Sequence, residues 1–184
     1  QQRAAVTSTN RTNLVLAGAG SGKTRVLVHR IAWALSFEEV SLGNILAVTF
    51  TNKAANEMRL RIQELVSSPT RLMWIGTFHG IAHQLLRIHH EAAQLPSGFQ
   101  ILDTDDQLRI VKRIYRTRAL DESKYPPKQA LWFINAQKER GLRSHRISAS
   151  EAPDYLQLAE IYREYEAICN RSGLVDFAEL LLRS

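Results

Sequence analysis

An α/β fold is predicted here, with a parallel sheet in residues 1–79 followed by an all-helical stretch over residues 80–184. Three observations carry that prediction. Apolar runs at residues 14–16, 45–50 and 73–78 each lead into a segment of helical period. The first run enters its helix through a glycine-rich turn, Ala17-Gly-Ala-Gly-Ser-Gly-Lys-Thr24. Beyond residue 80, apolar residues recur at helical spacing and the strand pattern fades.

The glycine-rich turn has the strand–loop–helix setting of a phosphate-binding loop. Gly18, Gly20 and Gly22 let the backbone curl so that several N–H groups face one anion. Ala17, Ala19 and Ser21 complete the curl, and the following helix points the positive end of its dipole at the same spot. Lys23 has the reach to meet β- and γ-phosphates, and the Thr24 hydroxyl suits the shell of a Mg²⁺ ion. The common pattern begins with glycine where this chain has Ala17. Ahead of the loop, residues 2–6 read as a short helix whose Gln2 amide can read an adenine edge or simply face solvent. Arg25, one residue past the loop, is either a lid on a bound base or an exposed helix arginine.

Composition narrows the setting. With 184 residues and 45% hydrophobic content, the chain can bury a core of one or two domains. A single cysteine, Cys169, excludes an internal disulfide framework and suits a reducing compartment. It lies on a helical stretch and reads as a buried thiol. No apolar run approaches membrane length. The net charge of +6 is uneven, because residues 1–79 hold nine Lys/Arg against four Glu. A phosphate-rich partner and ordinary solubilising charge both fit that surplus.

The two later strands end in polar residues. Phe50, Thr51, Asn52 and Lys53 follow the second apolar run, and Thr77, Phe78 and His79 follow the third. Open α/β sheets place ligand contacts at that edge. An aromatic ring among small donors is a platform for a stacked base, although a core phenylalanine fits the pattern equally. Helices are predicted over 24–35, from about 55 to 65, and from 80 to 93. Another starts from a Thr104/Gln107 capping box, and one over 128–140 is opened by Pro126-Pro127. Two more cover 155–170 and the residues from Asp176 onward. Asp103, Asp105 and Asp106 are read as starting a helix rather than ending a strand. Two basic clusters, Arg109/Lys112/Arg113/Arg116/Arg118 and Lys138/Arg140/Arg143/His145/Arg146, are solvated faces or tracks for a nucleic-acid backbone. The histidines at 79, 83, 89 and 90 lack the cysteine or carboxylate that would complete a zinc set.

In their order these motifs resemble superfamily 1 DNA helicases of the UvrD/Rep/PcrA type, with the UvrD branch nearest. Four blocks carry the resemblance: Gln2-Arg3 with the loop ending at Thr24; Ala47-Val-Thr-Phe-Thr-Asn-Lys-Ala-Ala55; Gly76-Thr-Phe-His79; and Gly173-Leu-Val-Asp-Phe-Ala-Glu-Leu-Leu181. Ala17 is what this family has at that position. The resemblance implies a partial RecA-like P-loop NTPase domain (1A) in residues 1–79. Residues 80–184 would then be an inserted helical subdomain (1B) and the start of the return towards 1A. It also implies ATP and Mg²⁺ as cofactors, with Gln2, Ala17, Gly18, Ala19, Gly20, Ser21, Gly22, Lys23, Thr24 and Arg25 at the nucleotide and Thr24 at the metal. Phe50, Thr51, Asn52, Thr77, Phe78 and His79 would line single-stranded DNA near a single-strand/duplex junction. The implied role is 3′→5′ unwinding in excision and mismatch repair, with repair proteins as partners, in a cytoplasmic, nucleoid-associated setting away from membranes. The family's Asp-Glu pair that holds Mg²⁺ and orients water is expected after Ser184, so this stretch alone is not expected to unwind DNA. A P-loop small-molecule kinase, a RecB-like nuclease-helicase subunit and a non-catalytic DNA-binding module are the competing readings.

Overall fold

The computed structural model describes residues 1–66, 69–147 and 153–184. Contacts divide the chain into two compact units, Gln1–Ile81 and Ala82–Ser184. Both are mixed α/β, with short parallel sheets and mostly helices.

In the first unit, α1 (Gln2–Val6) precedes the glycine-rich loop and α2 (Lys23–Phe37) follows it. β1 (Leu46–Thr49) leads into α3 (Asn52–Leu65), and β2 (Trp74–Thr77) leads into α4 (Phe78–Ile88). β1 and β2 pair in parallel, with Leu46 opposite Trp74 and Thr49 opposite Thr77. Alternation along the strands sends Ala47 and Ile75 into the core, where they meet Val28 and Ile31 of α2 and Met58 and Ile62 of α3. Thr51 starts α3 by accepting a hydrogen bond from the Ala54 amide at 3.1 Å. Arg59 then ties that helix to the sheet by donating to the Ile75 carbonyl, while its other nitrogen donates to Asn56 at 2.8 Å.

The predicted strand at 14–16 does not form. Leu14 and Leu16 are 82% and 85% exposed, and the stretch makes no ladder. A strand persists only where a neighbour completes its hydrogen bonds, and β1 and β2 pair with each other alone among the described residues.

From Ala82 onward α4 belongs to the second unit. That unit holds β3 (Gln100–Leu102), α5 (Thr104–Thr117), α6 (Pro127–Glu139), α7 (Pro153–Ser172), β4 (Leu174–Asp176) and α8 (Phe177–Arg183). It is therefore not all-helical: β3 and β4 pair in parallel, Gln100 opposite Leu174. Three-residue strands are too short to show alternation, and their partners lie far apart in sequence, so no local pattern announces them. The helix expected over 80–93 begins earlier and ends at Ile88. Asp103 starts α5, as the sequence predicts, but it also directly follows β3 and so stands at a strand end as well. It also displaces Thr104 as the cap of α5, accepting from the Asp106 amide at 2.7 Å. Gln107, expected in a capping box, is instead buried and donates to Asn135 and to the Tyr165 hydroxyl, both at 3.2 Å.

α5, α6 and α7 bury Val111, Ile114, Phe133, Ile134, Ile161 and Tyr165 in one cluster. Cys169 lies in the same cluster, and burial pushes its thiol up to about 11, as expected of an inert core cysteine. A smaller cluster joins Ala82, Leu86, Phe99, Val175 and Leu180.

Between α7 and β4 the chain turns at Gly173, whose φ is +63°. A Cβ there would come within 2.5 Å of Pro96 Cγ. Gly173→Ala thus combines a disfavoured backbone with overpacking against a stiff ring. It is expected to cost about 1–3 kcal/mol, read as a lower urea midpoint with an unchanged slope.

Candidate functional site

Two groups of side chains gather in the first unit. The glycine-rich loop is exposed throughout, from Ala17 to Ser21. Gly20 and Gly22 use positive φ, +74° and +87°, to curl it into the start of α2. Gly18 does not; its carbonyl accepts from the Ser21 hydroxyl and from Lys23 Nζ, each at 2.7 Å. Lys23 Nζ also donates to the Ala17 carbonyl at 2.7 Å, so its ammonium folds back across the loop. The helix starts at Lys23, one residue before the expected Thr24, and no side chain caps it. Its first amides are left to an external acceptor, the condition for anion binding at a helix N-terminus. Thr24 is exposed and its hydroxyl has no partner among the described residues. These features fit a triphosphate and leave one hydroxyl for a metal ion.

Gln2 reaches the loop from α1, its amide nitrogen donating to the Ser21 carbonyl at 2.9 Å. The same nitrogen stands 3.1 Å from where a Cβ on Gly22 would lie, so glycine is required there twice over. Gln2, Arg25, Val26, His29 and Trp33 line a cavity of about 290 Å³. A second cavity of about 370 Å³, on the loop side, is lined by Gln2, residues 14–17, Ser21 and Lys23. His29 and Trp33 were not singled out from sequence. Their i, i+4 and i, i+8 spacing from Arg25 on one helix face is the signal that could have found them.

The second group sits where β1 and β2 end. Phe50 is 90% exposed and Phe78 is half exposed, with ring centroids 5.6 Å apart and planes tilted by 49°. A core role for Phe50, left open by the sequence, is excluded by that exposure. Thr51 and Thr77 act as helix-start acceptors, Thr77 receiving the Gly80 amide at 3.1 Å. Asn52 opens α3 and His79 lies in the first turn of α4. The parallel register Thr49–Thr77 brings these residues to one sheet edge, with rings outward and small polar groups around them.

The second unit holds a charge network that sequence reasoning missed. Lys138 Nζ lies 2.6 Å from Asp176 Oδ2 and 3.0 Å from Glu179 Oε2, with all three side chains buried. Asp176 also accepts from the Tyr165 hydroxyl at 2.9 Å and from the Glu179 amide at 2.8 Å, which caps α8. Arg143 and Arg183 approach Glu179 Oε1 at 2.6 and 2.7 Å. Burial alone would raise the Glu179 carboxyl, but Lys138, Arg143 and Arg183 outweigh it and hold it below its ordinary value. Lys138 and Arg143 are thereby consumed internally, while Arg140, His145 and Arg146 of the second basic cluster remain exposed. His83 accepts from Arg87 at 3.0 Å and meets Phe99 edge-on. Burial and then Arg87 lower its pKa. Among the described residues no three His, Cys, Asp or Glu come together to hold a metal ion.

All 184 residues match the family described as UvrD/REP helicase N-terminal domain, over residues 1–184. The chain belongs to that family. This UvrD/REP helicase N-terminal domain is 56% identical to DNA helicase II of Escherichia coli (strain K12), over all of its own length and 26% of that protein's. It is 53% identical to DNA helicase II of Haemophilus influenzae (strain ATCC 51907 / DSM 11121 / KW20 / Rd), again over 26% of that protein. It is 37% identical to ATP-dependent DNA helicase PcrA of Staphylococcus aureus (strain Mu50 / ATCC 700699), covering 99% of the chain and 25% of that protein. The chain thus spans about a quarter of the length of these curated relatives. Family membership sets aside the small-molecule kinase reading. No helix among the described residues is long and apolar enough to cross a membrane.

Proposed function

We propose that this chain is the first ATP- and DNA-binding part of an ATP-dependent helicase that moves 3′→5′ along single-stranded DNA in excision and mismatch repair. Residues 1–79 would be the first part of a RecA-like domain 1A. Residues 80–184 would be a mainly helical subdomain 1B with the start of the return towards 1A. The parent protein would work in the cytoplasm at the nucleoid, with repair proteins as partners.

The observation that carries this reading is the pairing, within one unit, of an uncapped α2 N-terminus beside Lys23 with an exposed aromatic pair at the ends of β1 and β2. The curl from Ala17 to Gly22, Ala19 and Ser21 included, offers backbone amides to the phosphates. Lys23 exchanges the Ala17 and Gly18 carbonyls for β- and γ-phosphate oxygens. Thr24 supplies a hydroxyl to Mg²⁺, and Gln2 and Arg25 hold the base. Bound ATP and Mg²⁺ supply the cleavable phosphoanhydride and the charge that stabilises its transfer. Phe50 and Phe78 stack bases without regard to sequence, as a motor stepping along any strand requires. Thr51, Asn52, Thr77 and His79 contact the sugar-phosphate backbone beside them.

The test uses the full-length parent protein. Its ATP hydrolysis is expected to rise with oligo(dT), and it is expected to unwind a duplex bearing a 3′ tail but not one bearing a 5′ tail. Hydrolysis indifferent to oligo(dT) would sink the reading. Phe50→Ala in the same protein is expected to weaken oligo(dT) binding by about 1–3 kcal/mol, the stacking of one base. Its melting curve should barely move, because so exposed a ring supports little of the core. Fluorescence anisotropy and thermal melts read the two effects separately.

A further inference from the structure

α1 has little of its own to hold it. It is five residues long, none of them buried, and no side chain caps its start. A helix that short does not persist by its own hydrogen bonds. Among the described residues, two side-chain hydrogen bonds fasten it to the rest of its unit, one at each end. At the start, the Gln2 amide nitrogen donates to the Ser21 carbonyl at 2.9 Å. At the finish, Arg30 of α2 donates from Nη1 to the Val6 carbonyl at 3.1 Å, one of the acceptors that a helix C-terminus leaves open. The guanidinium is itself fixed, with Nη1 and Nη2 at 2.6 and 3.0 Å from the two carboxylate oxygens of Glu38. Glu38 ends α2, where the helix dipole disfavours an acid, and Arg30 offsets that charge. Val6 and Thr7 line the cavity of about 290 Å³ together with Gln2 and Arg25, whereas Arg30 does not.

We infer that Arg30, aimed by Glu38, is a positioning residue for base selection: it fastens the far end of α1 and thereby sets where the Gln2 amide stands. This rests on the ATP-binding reading above and gives a role to a pair of residues that line no part of the cavity. The Ser21 carbonyl takes one of the two hydrogens on the Gln2 nitrogen. It so fixes which way round the amide faces, because the flipped amide would set two acceptors against each other. The Gln2 oxygen and the second hydrogen have no partner among the described residues. One acceptor beside one donor matches the edge of adenine, which offers its N6 amine and its N7. Guanine puts the acceptor O6 where the Gln2 oxygen needs a donor. That discrimination lasts only while α1 stands still. A glutamine on a fraying helix adapts to either base and holds neither well.

The experiment compares the full-length parent protein with Arg30→Met, Glu38→Ala, Gln2→Ala and the double variant Gln2→Ala/Arg30→Met. Without nucleotide, hydrogen exchange at the Ala5 and Thr7 amides, which bond back to Gln1 and Arg3, should quicken in Arg30→Met while α3 keeps its protection. Affinity for a non-hydrolysable ATP analogue should fall by about 5- to 30-fold, the loss of one or two neutral hydrogen bonds. Affinity for inorganic tripolyphosphate should hold, because the loop and α2 carry the phosphates. The preference for the ATP analogue over its GTP counterpart should shrink. Glu38→Ala, which frees the guanidinium, should move the same readouts the same way, and thermal melts check that each variant folds. The double variant should bind the ATP analogue no more weakly than Gln2→Ala alone, since Arg30 acts through Gln2. Losses that add in the double variant overturn the inference, as does an ATP-analogue affinity unmoved by Arg30→Met. Equal losses on the ATP analogue and tripolyphosphate also overturn it, by placing the effect of Arg30 at the phosphate loop. A Gln2→Ala variant that keeps the full preference for the ATP analogue over its GTP counterpart overturns the underlying reading of Gln2 instead.

Discussion

Lys138→Met is expected to lower the stability of the protein by about 3–5 kcal/mol, the usual consequence of removing one member of a buried ion cluster. The lysine stem packs within α6 and its ammonium sits between Asp176 and Glu179, so methionine fills the volume but strands two carboxylates. Tyr165 and the α8 amide continue to serve Asp176, and Arg143 and Arg183 continue to serve Glu179. Those contacts spread the loss without cancelling it. Urea unfolding at neutral pH reads the effect.

Acid adds a second signature. Glu179 is held below its ordinary pKa in the folded state, so it contributes stability that is present above its unfolded value and lost as pH falls through the folded one. In Lys138→Met the largest charge opposing burial is gone, and the folded value rises. The acid limb of stability against pH should then move toward neutral pH relative to the parent protein. An acid limb that stays in place would mean Arg143 and Arg183 alone set the Glu179 ionisation.

Lys23→Ala in the full-length parent protein is expected to reduce ATP hydrolysis by a factor of about 10² or more, the typical effect of deleting one preorganised electrostatic contact to a transition state. Unwinding should vanish with it. Single-strand binding should persist, because Phe50 and Phe78 lie at the strand ends and owe nothing to the lysine. Folding should change by no more than about 0.5 kcal/mol, because the two carbonyls that Lys23 bridges are exposed and water can take over. Hydrolysis at the parent rate would remove the loop from the chemistry altogether. Measuring turnover, oligo(dT) binding and melting on one preparation separates these outcomes.

Much of the first unit was legible in the sequence because its signals are local. The run at 45–50 alternates little and is followed by Thr51, and it forms a strand that stops at Thr49 before a helix capped by Thr51. Gly18, Gly20 and Gly22 predict a curled backbone, and Gly20 and Gly22 supply it with positive φ while Gly18 does not. Residues 14–16 misled for the complementary reason: an apolar run states a preference, and only a hydrogen-bonding neighbour makes it a strand. The second unit hid more. Lys138 reads as one more basic residue on a helix, and only the fold brings Asp176 and Glu179, about forty residues on, to its ammonium. Asp103 reads as a helix start and is one, but only β3, whose partner lies far off in sequence, places it at a strand end as well. The cavity side chains His29 and Trp33 were silent because an amphipathic helix offers such residues equally to core and ligand.

The pairing of β3 with β4 also sets an order of events during synthesis. Residues 174–183 provide the partner of β3, both carboxylates of the Lys138 network, and Val175 and Leu180 of the smaller cluster. A ribosome that has released everything up to Gly173 will have delivered both β1 and β2 of the first unit. The second unit will then hold a buried lysine without a counter-charge and an unpaired strand. Its folding must wait for the last few residues of this stretch, and the waiting interval is when a chaperone would find it.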